Sequence, residues 1–197
     1  MTRKRQQPWV PRSGDRTAGP RTGTPLGAGQ VRLQPDANGQ VLVDTTQFPV
    51  PDRSYYANSA RLERIEFGVL IAFGQLIPRQ AEITSAVCVE MPWGDFRALH
   101  DSLQESFRQL VAINCRGYGN MRAFPEEPPT ADRPGVVVCA HLLRVLANER
   151  SCSMDFFEYT HGQTAPEFFA SAVLRVRCLP PVLAYFVERS DALIVAG

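Results

Sequence analysis

The chain has 197 residues, 44% of them apolar, with 21 Lys and Arg against 20 Asp and Glu. That length and apolar content fill one core of ordinary domain size, or two half-domains sharing one, and exclude two large domains. The net charge of +1 excludes a molecule-wide field that would by itself draw the protein to nucleic acid or to a membrane.

The charge is uneven along the chain. Residues 1–30 hold Arg3, Lys4, Arg5, Arg12, Arg16 and Arg21 against the single acid Asp15, a balance of +5 that leaves −4 for the remainder. Residues 1–29 are rich in Pro, Gly, Thr and Arg and have little to bury beyond Trp9, Val10 and Leu26, so they read as a disordered basic tail. No apolar stretch follows the early charges, which argues against a secretory signal, and no run reaches the roughly 18 apolar residues of a membrane span. The expectation is a cytoplasmic protein with no membrane partner.

Residues 30–54 read as a short hairpin and linker. Val31-Arg32-Leu33 and Val41-Leu42-Val43 flank a segment ending in Asn38-Gly39, which favours the positive φ angles of a turn, and Pro49 with Pro51 then extends the chain. A first half-domain spans 55–113. From Arg61 to Gly74, Ile65, Phe67, Val69, Ile71 and Phe73 alternate with smaller or polar residues, the period of one long strand with a large apolar face. The small residues opposite leave room for close packing by a helix or a second sheet. After Pro78, Ile83, Ser85, Val87, Val89 and Met91 predict a second, antiparallel strand. Pro92 ends it, Asp95 is placed to cap a helix, and Phe96, Leu99, Leu103, Phe107 and Leu110 give that helix one apolar face.

Residues 114–135, with Pro125, Pro128, Pro129 and Pro134, form a polar proline-rich linker. The second half, 136–197, repeats the first half's grammar. Val136–Leu146, Met154–Tyr159 and Phe169–Cys178 are strand-like, Pro180-Pro181 breaks the run, and Leu183, Phe186, Val187 and Ile194 predict a final helix. Ser85-Ala86-Val87 before Met91-Pro92 is echoed by Ser171-Ala172-Val173 before Leu179-Pro180, which reads as an internal duplication. The expected fold class is α+β: an antiparallel sheet backed by two helices, in two pseudo-repeated strand-strand-helix halves.

In the first half, Tyr56-Ala57-Asn58, Glu66-Phe67, Phe73-Gly74-Gln75, Pro78, Pro92 and the Phe96, Leu99, Leu103 helix follow in order over residues 55–110. This pattern resembles a family of short bacterial proteins known as a domain of unknown function. The strand, proline and helix order is also similar, more loosely, to the secretion chaperone SecB family, which implies a sheet backed by helices. Neither resemblance implies catalytic residues. The second half departs from the pattern, with Ala140-His141 where Ala57-Asn58 would stand and no Phe-Gly-Gln.

Reactive groups are sparse. Cys88, Cys115, Cys139, Cys152 and Cys178 are odd in number and have no C-x-x-C pair, so they read as reduced thiols, with Cys88, Cys139 and Cys178 expected in the core. His100, His141 and His161 are far apart and have no metal-ligand spacing. Asp95, Asp101 and Glu105 read as a solvated helix face, and Gly117-Tyr118-Gly119 lacks the Gly-Lys-Ser/Thr of a phosphate loop. No catalytic, metal or cofactor site is predicted, and no cofactor. The function expected is a non-catalytic protein-binding or assembly role, chaperone-like or adaptor-like. Its partner is a protein, an unfolded polypeptide or a second copy in a homo-oligomer, with Phe156, Phe157, Tyr159, Phe168 and Phe169 as the binding aromatics. Two alternatives stay open. One is nucleic-acid association through the Arg-rich tail. The other is a thiol enzyme using Cys139 and His141, which share a face when two apart on a strand.

Overall fold

The computed structural model describes residues 24–25, 29–33, 43–77, 82–101, 103, 136–147, 151–161 and 168–196. In chain order it contains β1 (Thr24–Pro25), β2 (Gln30–Leu33), a 3-10 turn (Thr45–Gln47), β3 (Ser54–Ala57), β4 (Ser59–Ile65), β5 (Gly68–Ile77) and β6 (Glu82–Pro92). A helix α1 follows, helical at residues 93–101 and 103. Then come β7 (Val137–Cys139), β8 (Leu142–Ala147), β9 (Cys152–His161), β10 (Phe168–Cys178) and α2 (Pro180–Val195). The fold is mixed α+β, and its sheets are mainly antiparallel.

One sheet runs β4-β5-β6-β7 and the other β1-β2-β10-β9-β8, with β3 also paired to β10. Each contains a three-stranded antiparallel meander, β4-β5-β6 or β8-β9-β10, that leads into a helix. Each meander is preceded by a short strand lying in the opposite sheet. β3 pairs parallel with β10, and β7 pairs parallel with β6. The crossings fall at Asn58 and at Ala140-His141, where the Asn58 amide donates to the Gly74 carbonyl and the His141 amide to the Phe157 carbonyl. Register slips by one residue at matching places: Phe73 faces Val87 but Gly74 faces Ser85, and Phe156 faces Leu174 but Phe157 faces Ala172. Ser85 and Ala172 therefore stand at corresponding steps, and the Ser-Ala-Val echo in the sequence is one residue out of step with the pairing.

The core lies between the sheets and the helices. Phe73 and Phe156, both fully buried, meet edge to face at 5.8 Å, and Phe186 of α2 stacks on Phe73 at 6.4 Å. Val69, Ile71, Val87, Val89, Met91, Phe96 and Leu99 complete one side, and Met154, Leu174, Val176, Leu183 and Val187 the other. Burial of a large apolar side chain contributes about 1.5–3 kcal/mol, so this shared core couples the two meanders energetically. A second, smaller cluster joins Val31, Leu33, Phe48, Phe157 and Ala170 on the outer face of the β8-β9-β10 sheet.

Several expectations are corrected. The strand read from Arg61 to Gly74 is a hairpin: Ile65 pairs with Gly68, and Glu66-Phe67 form a two-residue turn. Because Arg64 pairs with Val69, the apolar phase inverts at the turn. Ile65 is thus not on the Val69, Ile71, Phe73 face, and Phe67 projects into solvent at 79% exposure. Gly68 has its own explanation, since a Cβ there would stand 2.0 Å from the Met91 carbonyl oxygen; β6 itself occupies the space that looked reserved for another element.

The hairpin between 31–33 and 41–43 does not form at Val31 and Arg32, because β1 and β10 already flank β2 there. Thr24 and Pro25, assigned to the tail, are in strand β1, while the rest of the tail up to residue 23 and the 114–135 linker lie outside the described residues. Helix α1 begins at Trp93, so Asp95 is in its first turn rather than at its cap, a position where a negative charge still favours the helix dipole. The run Val136–Leu146 is two strands in two sheets.

Candidate functional site

Among the described residues strand β7 is the outer strand of its sheet, and its geometry follows from the parallel register with β6. Cys88 N–H donates to Val136 C=O and Ala140 N–H to Glu90 C=O, which directs the groups of Val136, Val138 and Ala140 toward β6. The alternate residues, Val137 and Cys139, turn their N–H and C=O groups the other way. Neither has a hydrogen-bond partner among the described residues. Val137 is 51% exposed and Cys139 is exposed, so a strand edge unpaired among the described residues coincides with accessible side chains.

Around this edge gather the groups that the sequence left scattered. Cys139 was expected in the core and is on the surface; Cys88, Cys152 and Cys178 are buried, and Cys115 lies outside the described residues. Burial of its remaining surface, then the negative charges of Glu158, Glu90 and Asp95, push the Cys139 thiol up from its ordinary value. Desolvation pushes Cys152 up to about 12 and raises Cys178 further. Asp95 is raised by burial, with His141 acting in the opposite sense, and Tyr159 is raised by burial and by the Asp95 charge.

His141 sits at the corner where the chain leaves β7 for β8. Its Nδ1 accepts the Tyr159 backbone N–H at 3.1 Å, and its ring lies 5.7 Å from the Tyr159 ring. A ring nitrogen that accepts this bond is unprotonated, so in the neutral imidazole the proton is on Nε2 and no lone pair is left to take the Cys139 proton. The surrounding carboxylates oppose a thiolate as well. Cys139 should accordingly react with iodoacetamide at neutral pH more slowly than a free cysteine, despite its exposure. Peptide mapping across a pH series checks this: labelling rises only above the ordinary thiol range, and rapid labelling at pH 7 would contradict it.

The proposed binding aromatics divide. Phe156 and Phe157 are wholly buried, one in each core cluster, and this removes both from the surface. Tyr159, Phe168 and Phe169 are half-buried, with Tyr159 and Phe168 packed against the smaller cluster. The Arg-rich tail to residue 23 lies outside the described residues.

Sequence reasoning missed a buried ion cluster on the outer face of β8-β9-β10. Asp155 is 0% exposed; its Oδ2 accepts Arg144 Nε at 3.0 Å and Nη2 at 2.7 Å, and Arg175 reaches Oδ1 through Nε at 2.6 Å and Oδ2 through Nη2 at 2.8 Å. Arg144 also donates to the carbonyls of Thr45 and Phe48 at 2.7 Å and of Pro49 at 3.2 Å, which uses every N–H it has. Its guanidinium lies 5.2 Å from the Phe157 ring, whose edge meets Phe48 at 4.9 Å. These bonds pin residues 45–49 across the sheet. A signal was available: each charge interrupts an apolar strand run, Leu143-Arg144-Val145, Met154-Asp155-Phe156 and Leu174-Arg175-Val176.

One further pairing ties the two helices, and another ties α1 to β4. His100 on α1 bonds through Nε2 to Asp191 on α2 and through Nδ1 to Asp101. Trp93 at the start of α1 stacks on Phe96, and the guanidinium groups of Arg64 and Arg97 lie 5.0 Å and 5.8 Å from its ring. Among the described residues no group of three or more His, Cys, Asp or Glu side chains could hold a metal ion, and no helix is long and apolar enough to cross a membrane. A scan against family models, a search of curated proteins and a search of solved structures each found no match to this chain. The resemblances drawn over residues 55–110 therefore rest on those residues alone.

Proposed function

We propose that this chain is a non-catalytic polypeptide-binding protein of assembly or chaperone type, formed from two diverged copies of one strand-meander-plus-helix unit. The duplication is supported by the reciprocal strand exchange of β3 and β7, by the like register slips at Phe73 and Phe156, and by the corner bonds at Asn58 and His141. It also accounts for why a single chain can complete such a core: each unit supplies the strand that the other's sheet lacks.

The observation that carries the binding reading is the outer edge of β7, where the backbone groups of Val137 and Cys139 have no partner among the described residues and Val137 is accessible. Such an edge accepts an extended chain by adding it as a strand, whatever its side chains, and this suits a protein that holds polypeptides. Tyr159, Phe168 and Phe169 remain as half-buried contributors, and the engaged lone pair of His141 weighs against thiol catalysis.

The test is titration of the purified protein with a permanently unfolded polypeptide, such as a reduced and alkylated one. Binding is expected, and Val137→Pro, which removes an outward N–H and leaves the bonds to β6 in place, should weaken it about tenfold, on the order of 1.4 kcal/mol, with an unchanged melting temperature. Absence of binding to any unfolded polypeptide contradicts the proposal.

A further inference from the structure

The two exchanged strands differ at their outer edges. On β3, the carbonyl of Tyr56 accepts the Gln75 side-chain amide at 3.2 Å. Gln75 follows Gly74, whose carbonyl receives the Asn58 corner amide; in the second unit Phe157 receives the His141 amide, and the residue that follows is Glu158. A carboxylate has no N–H to donate, so Glu158 cannot close the carbonyl of Cys139 as Gln75 closes that of Tyr56. One edge is capped by its own side chain, and the other has no such cap among the described residues.

The open edge is also charged. Glu90 pairs in register with Cys139, and the charges of Glu158 and Asp95 reach the same thiol, so three carboxylates act at the Cys139 position. None of the three is ion-paired to Arg or Lys among the described residues. We infer that the outer edge of β7 receives an extended peptide bearing Lys or Arg, added as a further strand of the β4-β5-β6-β7 sheet. The Val137 and Cys139 backbone groups bind its main chain, and Glu90, Asp95 and Glu158 select its basic side chains. This rests on the polypeptide-binding reading and narrows it to one edge and one class of sequence.

The full chain is titrated, by fluorescence anisotropy, with a labelled short peptide of alternating lysine and valine and with its glutamate counterpart. The basic peptide is expected to bind about tenfold tighter at low salt, with the preference shrinking as salt screens it. N-methylation of the basic peptide's alternate backbone amides should abolish binding, and Glu158→Ala, which removes the charge without supplying an N–H, should lower the charge preference about threefold without moving the melting temperature. Equal affinity for the two peptides, or undiminished binding of the N-methylated one, overturns the inference.

Capture of unfolded polypeptide that ignores both charge and N-methylation overturns the edge while the broader reading survives; failure of polypeptide and peptides alike removes both. If deleting residues 1–22 raises the affinity for the added basic peptide about tenfold, the chain's own basic segment is the occupant and the separate partner is overturned.

Discussion

Asp155→Ala should lower folding stability by about 3–5 kcal/mol, enough to unfold a marginal domain at physiological temperature. The carboxylate is entirely buried and is the common acceptor of Arg144 and Arg175, whose side chains are 5% and 14% exposed. Removing it leaves two desolvated cations facing each other. The hydrogen bond to Asp155 is the main reason that Arg175 holds its proton even more firmly than usual. Replacing all three residues with apolar ones should cost less than the single change, because no uncompensated charge remains. Urea titration of both variants measures this. A loss below about 1 kcal/mol for Asp155→Ala would contradict the account of the cluster.

Phe73→Ala and Phe156→Ala should each cost about 3–5 kcal/mol, and the double variant less than their sum. Both rings are fully buried, come from different meanders and touch at 5.8 Å. The cavity left by one deletion is shared with the other, so the coupling measures how far the two units depend on one core. A double-mutant cycle followed by thermal and urea melts supplies it. Additive losses, with two separate unfolding transitions, would mean that the units fold independently.

Element types were readable because burial imposes period on sequence. The alternation Val87, Val89, Met91 and the Phe96, Leu99, Leu103 spacing mark β6 and α1 as drawn. Changes of partner leave no such mark. The Glu66-Phe67 turn carries no glycine or asparagine, and Ile65 and Phe67 continue the apparent alternation while the pairing inverts the face. Val136–Leu146 reads as one strand because a chain passing from one half-buried sheet to another meets apolar demand in both. Spacing pairs Cys139 with His141 in the sequence, but the action of Asp95 on Cys139 and the bond between His141 and Tyr159 were out of reach for a related reason: α1, the β7-β8 corner and β9 are joined only by long-range pairing. Ala57-Asn58 and Ala140-His141, the point at which the second half departs from the first in sequence, are the two places where the chain crosses between sheets.

The open edge of β7 carries the functional account, and backbone amide exchange tests it residue by residue. Val138 and Ala140 have N–H groups directed at β6 and should exchange slowly in the free protein, whereas Val137 and Cys139 should exchange fast and become protected when polypeptide is added. Uniform protection of residues 137–140 in the free protein, or no change at Val137 and Cys139 on binding, would contradict it.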